Sequence, residues 1–333
     1  MSAPVITFFN NKGGVGKTSL VYHVAWMFND LGIRTVAVDL DPQANLTAAF
    51  MQDEALEALW SDPPGAGTIF GCINPLTRGV GDVQAPQLTP IAEDLHLLCG
   101  DLRLSSLEDE LSGRWPDCLS GNERAFRVIT AFWRVMQLGA KEVGAKVILA
   151  DVGPNLGALN RSAMVATDHV IMPLAADLFS MKGLENLGPT LRTWREQWEE
   201  RIPKSPDKSF MLPKGDMRPA GYILMQHAVR LDRPVQAYQQ WMERAPGIYA
   251  KAVLGESPKK IPGTDGNLIA MIKHYRSLMP MAQEHRKPMF HLKAADGAIG
   301  GHVKAVLGCY ADFEKLARDI LERTGLPEPA DSN

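Results

Sequence analysis

The strongest structural signal in the sequence is a short glycine-rich segment near the N-terminus, Lys12 to Thr18, with the letters KGGVGKT. It lies between an apolar run at 5–9 and a helical pattern that begins at Ser19. Glycines allow consecutive backbone N–H groups to turn towards phosphate oxygens, and the start of a helix adds a favourable dipole. In such a loop Lys17 reaches the β- and γ-phosphates and the threonine hydroxyl binds Mg²⁺. The segment therefore predicts a phosphate-binding loop between a strand and a helix.

Short apolar runs recur along the chain and predict the strands of a parallel sheet. After the first run at 5–9, similar runs lie at 34–40, 95–99, 147–150, 170–173 and 222–225. Helical patterns cover about 122–138, 156–166 and 183–200, and a long amphipathic pattern covers 301–323. Continuous apolar strands that alternate with helices are typical of sheets covered on both faces. We therefore expect an α/β fold with a mostly parallel, doubly wound sheet flanked by helices.

The whole chain, 1–333, is expected to form a single domain. Three segments rich in proline and glycine show no clear periodicity, at roughly 52–92, 201–219 and 244–268. We interpret them as loop or helical insertions into that domain. The segment 325–333 follows the last helical pattern and is expected to be a flexible tail.

Three aspartates follow predicted strands. Asp39 and Asp41 come at the end of the second run, and Asp151 follows the run at 147–150. The carboxyl ends of parallel strands face the crevice of an open sheet in which a nucleotide binds. One carboxylate there can hold Mg²⁺ through water, and another can orient an attacking water molecule. A single aspartate of this kind could instead cap a helix, but the set of three after a phosphate-binding loop favours a nucleotide site.

Composition excludes several other classes of protein. The 35 basic and 38 acidic side chains give a net charge of −3, which excludes a general basic coat for nucleic acid but allows a local basic patch. No apolar run approaches the ~18 residues that span a bilayer. The four cysteines form no CxxC pair and the eight histidines show no metal-binding spacing, so zinc and disulfide sites are not expected. The N-terminus lacks a secretory pattern, and we expect a cytoplasmic protein.

Taken together, the phosphate-binding loop and the aspartate segments resemble a known family. The strings NNKGGVGKTSL, VDLDPQAN and VILADVGPNLGALN are similar to the ParA/MinD group of deviant Walker A ATPases, and most of all to its ParA partition branch. The resemblance continues through TDHVIMPLAADLFSMKGLENL, PAGYILMQ and, more weakly, EHRKPMFHL. It covers most of the chain apart from the three irregular segments, and it implies the deviant Walker A P-loop NTPase fold with ATP and Mg²⁺ as ligands.

The resemblance implies a role for each matching residue. Lys12 would be the signature lysine, which reaches across an ATP-sandwiched dimer to the partner's phosphates and acts in catalysis with Lys17. Asp41 would position the hydrolytic water, and Asp39 and Asp151 would support the Mg²⁺ bound by the loop threonine. The nucleotide contacts would come from Asn11, Lys12, Gly13, Gly14, Val15, Gly16, Lys17, Thr18 and Ser19.

Two residues depart from the family's pattern beside the predicted site. Ala44 stands where the family usually has glycine, and Gly153 stands where it usually has proline. Both departures alter backbone stiffness in segments that would switch with the nucleotide. They put the hydrolysis rate and the switch geometry in question more than nucleotide binding.

The function that the resemblance implies is a nucleotide-controlled switch. ParA-like proteins bind DNA non-specifically as ATP dimers and hydrolyse ATP slowly, and they partition plasmids or chromosomes or position other cargo together with a centromere-binding or other activating protein. Basic candidates for DNA phosphate contacts are Arg192, Arg195, Lys273 and Arg276, although the mixed charges of WREQWEER at 194–201 are equally typical of a solvated helix face. Such a protein would be cytoplasmic and associated with the nucleoid in the ATP state.

Two other functions remain open. An ATP-dependent regulatory or assembly switch, such as a secretion or defence accessory, would act on a protein partner through the insertions and without DNA. A MinD-like protein would need a C-terminal amphipathic helix with a basic polar face, whereas the polar face of 301–323 mixes acidic and basic side chains. We therefore expect core packing for this helix and no stable association with a membrane.

Overall fold

The computed structural model describes residues 2–60, 64–226, 235–256 and 265–327, and within them the chain forms an eight-stranded sheet. The strands are β1 (Val5–Phe8), β2 (Thr35–Asp39), β3 (Thr89–Ala92), β4 (Leu95–Leu98), β5 (Val147–Asp151), β6 (His169–Ala175), β7 (Arg218–Gln226) and β8 (Leu268–Lys273). Their order across the sheet is β3-β4-β2-β5-β1-β6-β7-β8. Neighbouring strands are parallel except for the edge pair β3 and β4. The predicted α/β fold with a mostly parallel sheet is confirmed.

Helices cover both faces of this sheet. They are α1 (Lys17–Asp30), α2 (Asn45–Phe50), α3 (Asp53–Leu59), α4 (Ile69–Thr77), α5 (Glu108–Asp117), α6 (Glu123–Ile129), α7 (Ala131–Val143), α8 (Ala158–Val165), α9 (Leu178–Arg201), α10 (Val235–Tyr249), α11 (Leu278–His285) and α12 (Gly301–Thr324). Buried side chains of α1, α11 and α12 belong to one core layer, and those of α4 to α9 belong to the other.

Strand β5 shows how the sheet divides the core. Val147 and Leu149 pack in the layer of α1 and α12, whereas Ile148 and Ala150 pack in the layer of α4 to α9. Alternate side chains of a strand point to opposite faces, so a strand that is covered on both sides is apolar throughout. This double coverage is the physical reason for the continuous apolar runs in the sequence.

The register of the central strands brings the predicted site residues to one edge of the sheet. Phe8 at the end of β1 pairs with Asp151 at the end of β5. Asp39 at the end of β2 pairs with the same Asp151. The glycine-rich loop follows β1 directly, and therefore the loop and two of the aspartates meet at the carboxyl edge of three adjacent strands.

The segments without clear periodicity are only partly irregular. The first, 52–92, contains α3, α4 and the edge strand β3. α3 buries only Leu56 and α4 contains Pro75, so neither short helix could produce a recognisable period. The segment 201–219 is mostly outside helices and strands, and 244–268 begins within α10, while 257–264 lies outside the described residues.

Two further boundaries differ from the predictions, and most of the predicted tail lies outside the described residues. The helical pattern at 122–138 forms two helices, α6 and α7, that meet at Thr130. α9 begins before the predicted 183, because Asp177 caps it by accepting from the Ser180 N–H. Of the predicted tail, 328–333 lies outside the described residues, and α12 ends at Gly325 in a left-handed cap.

The last helix packs into the core as predicted. Phe313, Leu316 and Ile320 are at most 2% exposed, and α12 lies against α1. Near the start of α12, however, the apolar side chains of Val303 and Leu307 are exposed by 49% and 66%. No helix in the described ranges has both the length and the apolar character needed to cross a bilayer.

Candidate nucleotide-binding site

The loop between β1 and α1 has the backbone geometry of a phosphate cradle. Gly14 and Gly16 adopt the left-handed region, with φ of 70° and 87°, which glycine tolerates because it has no Cβ. A Cβ at Gly16 would also lie 3.1 Å from Cε of Met225. Gly16 is the N-cap of α1 and makes no side-chain cap bond, so the first N–H groups of the helix can serve an anion.

The Lys17 side chain is held inside the site. It is 7% exposed, and its Nζ donates to the carbonyl oxygen of Lys12 over 3.4 Å. Burial lowers the pKa of Lys17, and the nearby charges of Asp151 and Asp41 act in the opposite direction. A buried ammonium with so long a hydrogen bond gains free energy from an anionic partner. The position therefore suits a phosphate group.

Asp151 is a fully buried carboxyl group whose pKa lies well above its ordinary value. Among the described residues neither of its oxygens has a hydrogen bond of good geometry, although the Thr18 hydroxyl is close enough to lower its pKa. Burial raises the pKa of Asp151, and the negative charge of Asp39 raises it further. An unpartnered buried carboxylate costs free energy unless a cation or a proton neutralises it. The local charge balance thus favours a cation at this point.

The available donors fit Mg²⁺ bound together with a triphosphate. Across the described ranges, no cluster of three or more acidic, histidine or cysteine side chains could hold a metal ion unaided. Mg²⁺ does not require such a cage, because it keeps several waters and takes one or two protein ligands plus phosphate oxygens. The Thr18 hydroxyl, which lines the cleft described below, and the orphaned Asp151 carboxylate are ligands of this type.

Asp39, which the resemblance also placed near Mg²⁺, has a different set of contacts. Its Oδ2 accepts from the backbone N–H and the hydroxyl of Thr47, both at 2.8 Å. The same hydroxyl accepts from the Gly100 N–H at 2.7 Å, and a Cβ at Gly100 would lie 2.8 Å from Cγ of Asp39. Thr47 is in the first turn of α2, whose N-cap, Ala44, has no side-chain acceptor. Asp39 therefore anchors α2 in place of a cap.

Substitution of Thr47 by valine tests this anchor. Thr47→Val keeps the side-chain shape but removes a donor to Asp39 and leaves the buried Gly100 N–H unpaired. Each loss costs about 1–3 kcal/mol, so we expect the free energy of unfolding in urea to fall by about 2–6 kcal/mol. Thr190→Val, which removes a hydroxyl bonded only to a carbonyl of its own helix, should change it by less than about 0.5 kcal/mol. Equal effects of the two variants would contradict the anchor.

Asp41 lies at the rim of the site and shapes the loop that follows it. It is 7% exposed, its Oδ1 accepts from the Gln43 N–H at 3.0 Å, and its carbonyl accepts from the Ala44 N–H at 2.8 Å. Ala44 adopts the left-handed region with φ of 51°, which costs a residue with a Cβ about 1–2 kcal/mol. At Gly153, an added Cβ would lie 3.3 Å from Oδ1 of Asp41. Both departures from the family pattern therefore flank this carboxylate.

The loop and Asp41 open onto a cleft of about 730 Å³, a size that accommodates a nucleotide. Its walls include residues that the sequence did not single out, on α1, α2 and α11. The lining consists of Gly13, Gly14, Gly16, Lys17, Thr18, Ser19, Tyr22, His23, Asp41, Gln43, Asn45, Ala48, Ala49, Pro154, Met279, Ala282, Gln283, Arg286 and Lys287. The weak likeness at EHRKPMFHL was the one sequence signal for the α11 side.

Three residues of the loop that were predicted to contact the nucleotide do not line the cleft. Val15 is 1% exposed within the protein. The buried Oδ1 of Asn11 faces α9, because a Cβ at Gly183 would lie 2.6 Å from it. The Lys12 ammonium lies 2.6 Å from Oδ2 of Asp177.

The four predicted DNA contacts fall into two groups. Arg192 donates to the carbonyl oxygens of Ala252 and Val253 at 2.5 and 3.0 Å, and Arg195 donates to that of Met217 at 2.7 Å. These two arginines therefore tie loops to α9. Lys273 has a side chain 54% exposed but forms an ion pair with Asp312, with its Nζ 2.8 Å from Oδ2, and Arg276 is exposed as well. The second group is therefore the more accessible to solvent.

Comparisons with known proteins agree with this fold and loop. A family model described as an AAA domain (AAA_31) matches residues 3–204. Protein IncC of Escherichia coli is 30% identical over 190 residues, which are 56% of this chain and 45% of IncC. The chromosome partitioning protein ParA of Myxococcus xanthus is 28% identical over 190 residues, 56% of this chain and 57% of that protein. The matched parts span about half the length of these relatives.

Solved structures share the fold over nearly the whole chain. Protein DIP2308 of Corynebacterium diphtheriae has a TM-score of 0.71 at 24% identity and covers 96% of this chain and 98% of its own. A plasmid partition protein of Borrelia burgdorferi, solved with AMPPNP bound, has a TM-score of 0.59 at 15% identity and covers 96% and 99%. At these identities the likeness establishes the fold.

Proposed function

The chain belongs to the AAA domain family AAA_31, as a P-loop ATPase of the ParA/MinD type, and on this premise we propose that it is a partition or positioning ATPase. In this proposal it binds Mg·ATP, forms an ATP-sandwiched homodimer and hydrolyses ATP slowly. The ATP-bound dimer binds DNA without sequence preference, and a centromere-binding or other activating protein stimulates hydrolysis. The protein then acts in the cytoplasm, on the nucleoid while ATP is bound.

One observation carries the proposal: Lys17 and Asp41 line one cleft together with the glycine-rich loop, and the fully buried Asp151 carboxylate lies close to Lys17 and Thr18 beneath it. A triphosphate would supply the anionic partner for Lys17, and a hard cation bound to it would neutralise Asp151. The names of the relatives and the AMPPNP in the Borrelia protein support the same ligand and the same cellular role for this chain.

Each residue of the site has a separate role in this reaction. The N–H groups at the start of α1 and the Lys17 ammonium bind the phosphate oxygens and stabilise the charge that develops during transfer. Mg²⁺, held through Thr18 and Asp151, neutralises phosphate charge when it is bound. Asp41 accepts a hydrogen bond from the attacking water and orients it. Lys12 of a second protomer completes the charge neutralisation, which couples hydrolysis to dimerisation.

Binding to a random-sequence DNA duplex tests the nucleotide-gated part of this function. With Mg·ATP we expect binding that weakens steeply between low and moderate salt, and with ADP or no nucleotide we expect none. A Lys273→Ala/Arg276→Ala double variant should weaken binding and reduce the salt slope by about four, because each protomer of the dimer loses two contacts, whereas Arg192→Ala tests the other group. A dimer that binds no DNA in any state would instead favour the regulatory switch that acts on a protein partner.

A further inference from the structure

The side chain of Lys12 is engaged by the start of α9. Its Nζ lies 2.6 Å from Oδ2 of Asp177 and 6.0 Å from the centre of the Phe179 ring. The two charged side chains are 32% and 27% exposed, so the ion pair is partly shielded from water. The Lys12 backbone meanwhile belongs to the phosphate-binding loop, where its carbonyl oxygen accepts from Lys17.

Asp177 makes two separable contacts with its two oxygens. Oδ1 accepts from the Ser180 N–H at 2.8 Å and caps α9, while Oδ2 accepts from Lys12. Although burial alone would raise the pKa of Asp177, the hydrogen bond from Lys12 holds it below its ordinary value. The cap requires only an acceptor oxygen, whereas the pair with Lys12 requires a negative charge.

The same turn of α9 presents unusual exposed apolar surface. Leu178 and Phe179 are 46% and 73% exposed, and both directly follow Asp177 in sequence. Large exposed apolar side chains beside a charged group are typical of contact surfaces. An interface that forms around Lys12 would therefore also cover Leu178 and Phe179.

We propose that Asp177 is a positioning residue that keeps Lys12 within its own protomer, and that dimerisation requires Lys12 to exchange this carboxylate for the partner's phosphates. The inference rests on the proposed function, because it assigns a competitor to the lysine that the dimer needs. The exchange makes Asp177 oppose association: both protomers must break their ion pairs before both lysines can cross. Asp177 thereby sets how much ATP-bound protein is needed to form the dimer.

Asp177→Asn separates the pair from the cap. Asparagine caps helices as well as aspartate, so α9 keeps its first turn while the charge on Lys12's partner is lost. Partly exposed ion pairs correspond to up to about 5-fold in an equilibrium constant, and two pairs per dimer to up to about 25-fold. We therefore expect Asp177→Asn to lower the dissociation constant of the Mg·ATP dimer, measured by sedimentation, by up to about 25-fold.

Glu185→Gln is the matched control, because it removes a carboxylate that lies 2.6 Å from Lys182 on the same helix. It should leave the dimer unchanged. If the wild-type protein dimerises with Mg·ATP and Asp177→Asn does not lower the dissociation constant, at an unchanged melting temperature, the role of Asp177 is overturned. The proposed function is then unaffected. If neither protein dimerises with Mg·ATP, the proposed function fails, and the role of Asp177 fails with it.

Discussion

Lys12→Ala is expected to abolish the ATP-dependent dimer while leaving ATP binding by the monomer within about threefold of wild type. Each of the two lysines in a dimer would contribute a charged hydrogen bond of about 1.5–3 kcal/mol, so the loss weakens association by about 10²- to 10⁴-fold. ATP binding is spared because Lys17 and the α1 N-terminus serve the phosphates within one protomer. Light scattering with Mg·ATP measures the first effect, and calorimetric titration measures the second.

Lys182→Ala provides the control for Lys12. Lys182 is an exposed lysine of α9 that pairs with Glu185, and its removal should leave the dimer intact. A Lys12→Ala protein that still doubles its mass with ATP would remove Lys12 from the interface. It would also show that Lys12 stays paired with Asp177 in the dimer and does not move to the partner's phosphates.

Asp41→Ala is expected to slow ATP turnover by about 10²- to 10⁴-fold, the usual contribution of a group that positions or deprotonates the attacking water. The dimer should persist, because its formation depends on bound ATP and not on hydrolysis. Released phosphate measures turnover, and the dimer lifetime after dilution measures the trapped state. Both changes should appear together.

Two variants make the Asp41 result specific. Asp41→Asn keeps an acceptor for the Gln43 N–H but lacks the charge, so it should be slow with an intact loop. Asp109→Ala, at an exposed position on α5, should turn over as wild type does. Unchanged turnover in Asp41→Ala would show that another group orients the water.

The sequence predicted those features that depend on short segments. The glycine-rich loop, the apolar strands and the strand-end aspartates each occupy a few consecutive residues, and parallel strands necessarily gather their ends at one edge. For this reason the positions of Lys17, Asp41 and Asp151 at one edge of the sheet followed from local patterns. Burial of both faces of β5 left a signal that is readable without any tertiary information.

Features that depend on distant partners could not be predicted in this way. Asp39 faces Thr47, but the Gly100 N–H that completes the network comes from the end of β4. Arg192 meets carbonyl oxygens 60 and 61 residues away, so a sequence reading could only class it as a basic surface residue. Lys12 and Asp177 are 165 residues apart. Contacts of this kind arise from packing and leave no local period.

The most direct test of nucleotide-dependent dimerisation is the molar mass of the wild-type protein. Light scattering measures it at constant concentration with Mg·ATP, with Mg·ADP and without nucleotide. We expect the mass to double from 36.5 kDa with Mg·ATP alone, and the doubled mass to be lost when chelation removes Mg²⁺. A protein that binds ATP and keeps a single mass in all three states would contradict the coupling of nucleotide to dimerisation on which the proposed function rests.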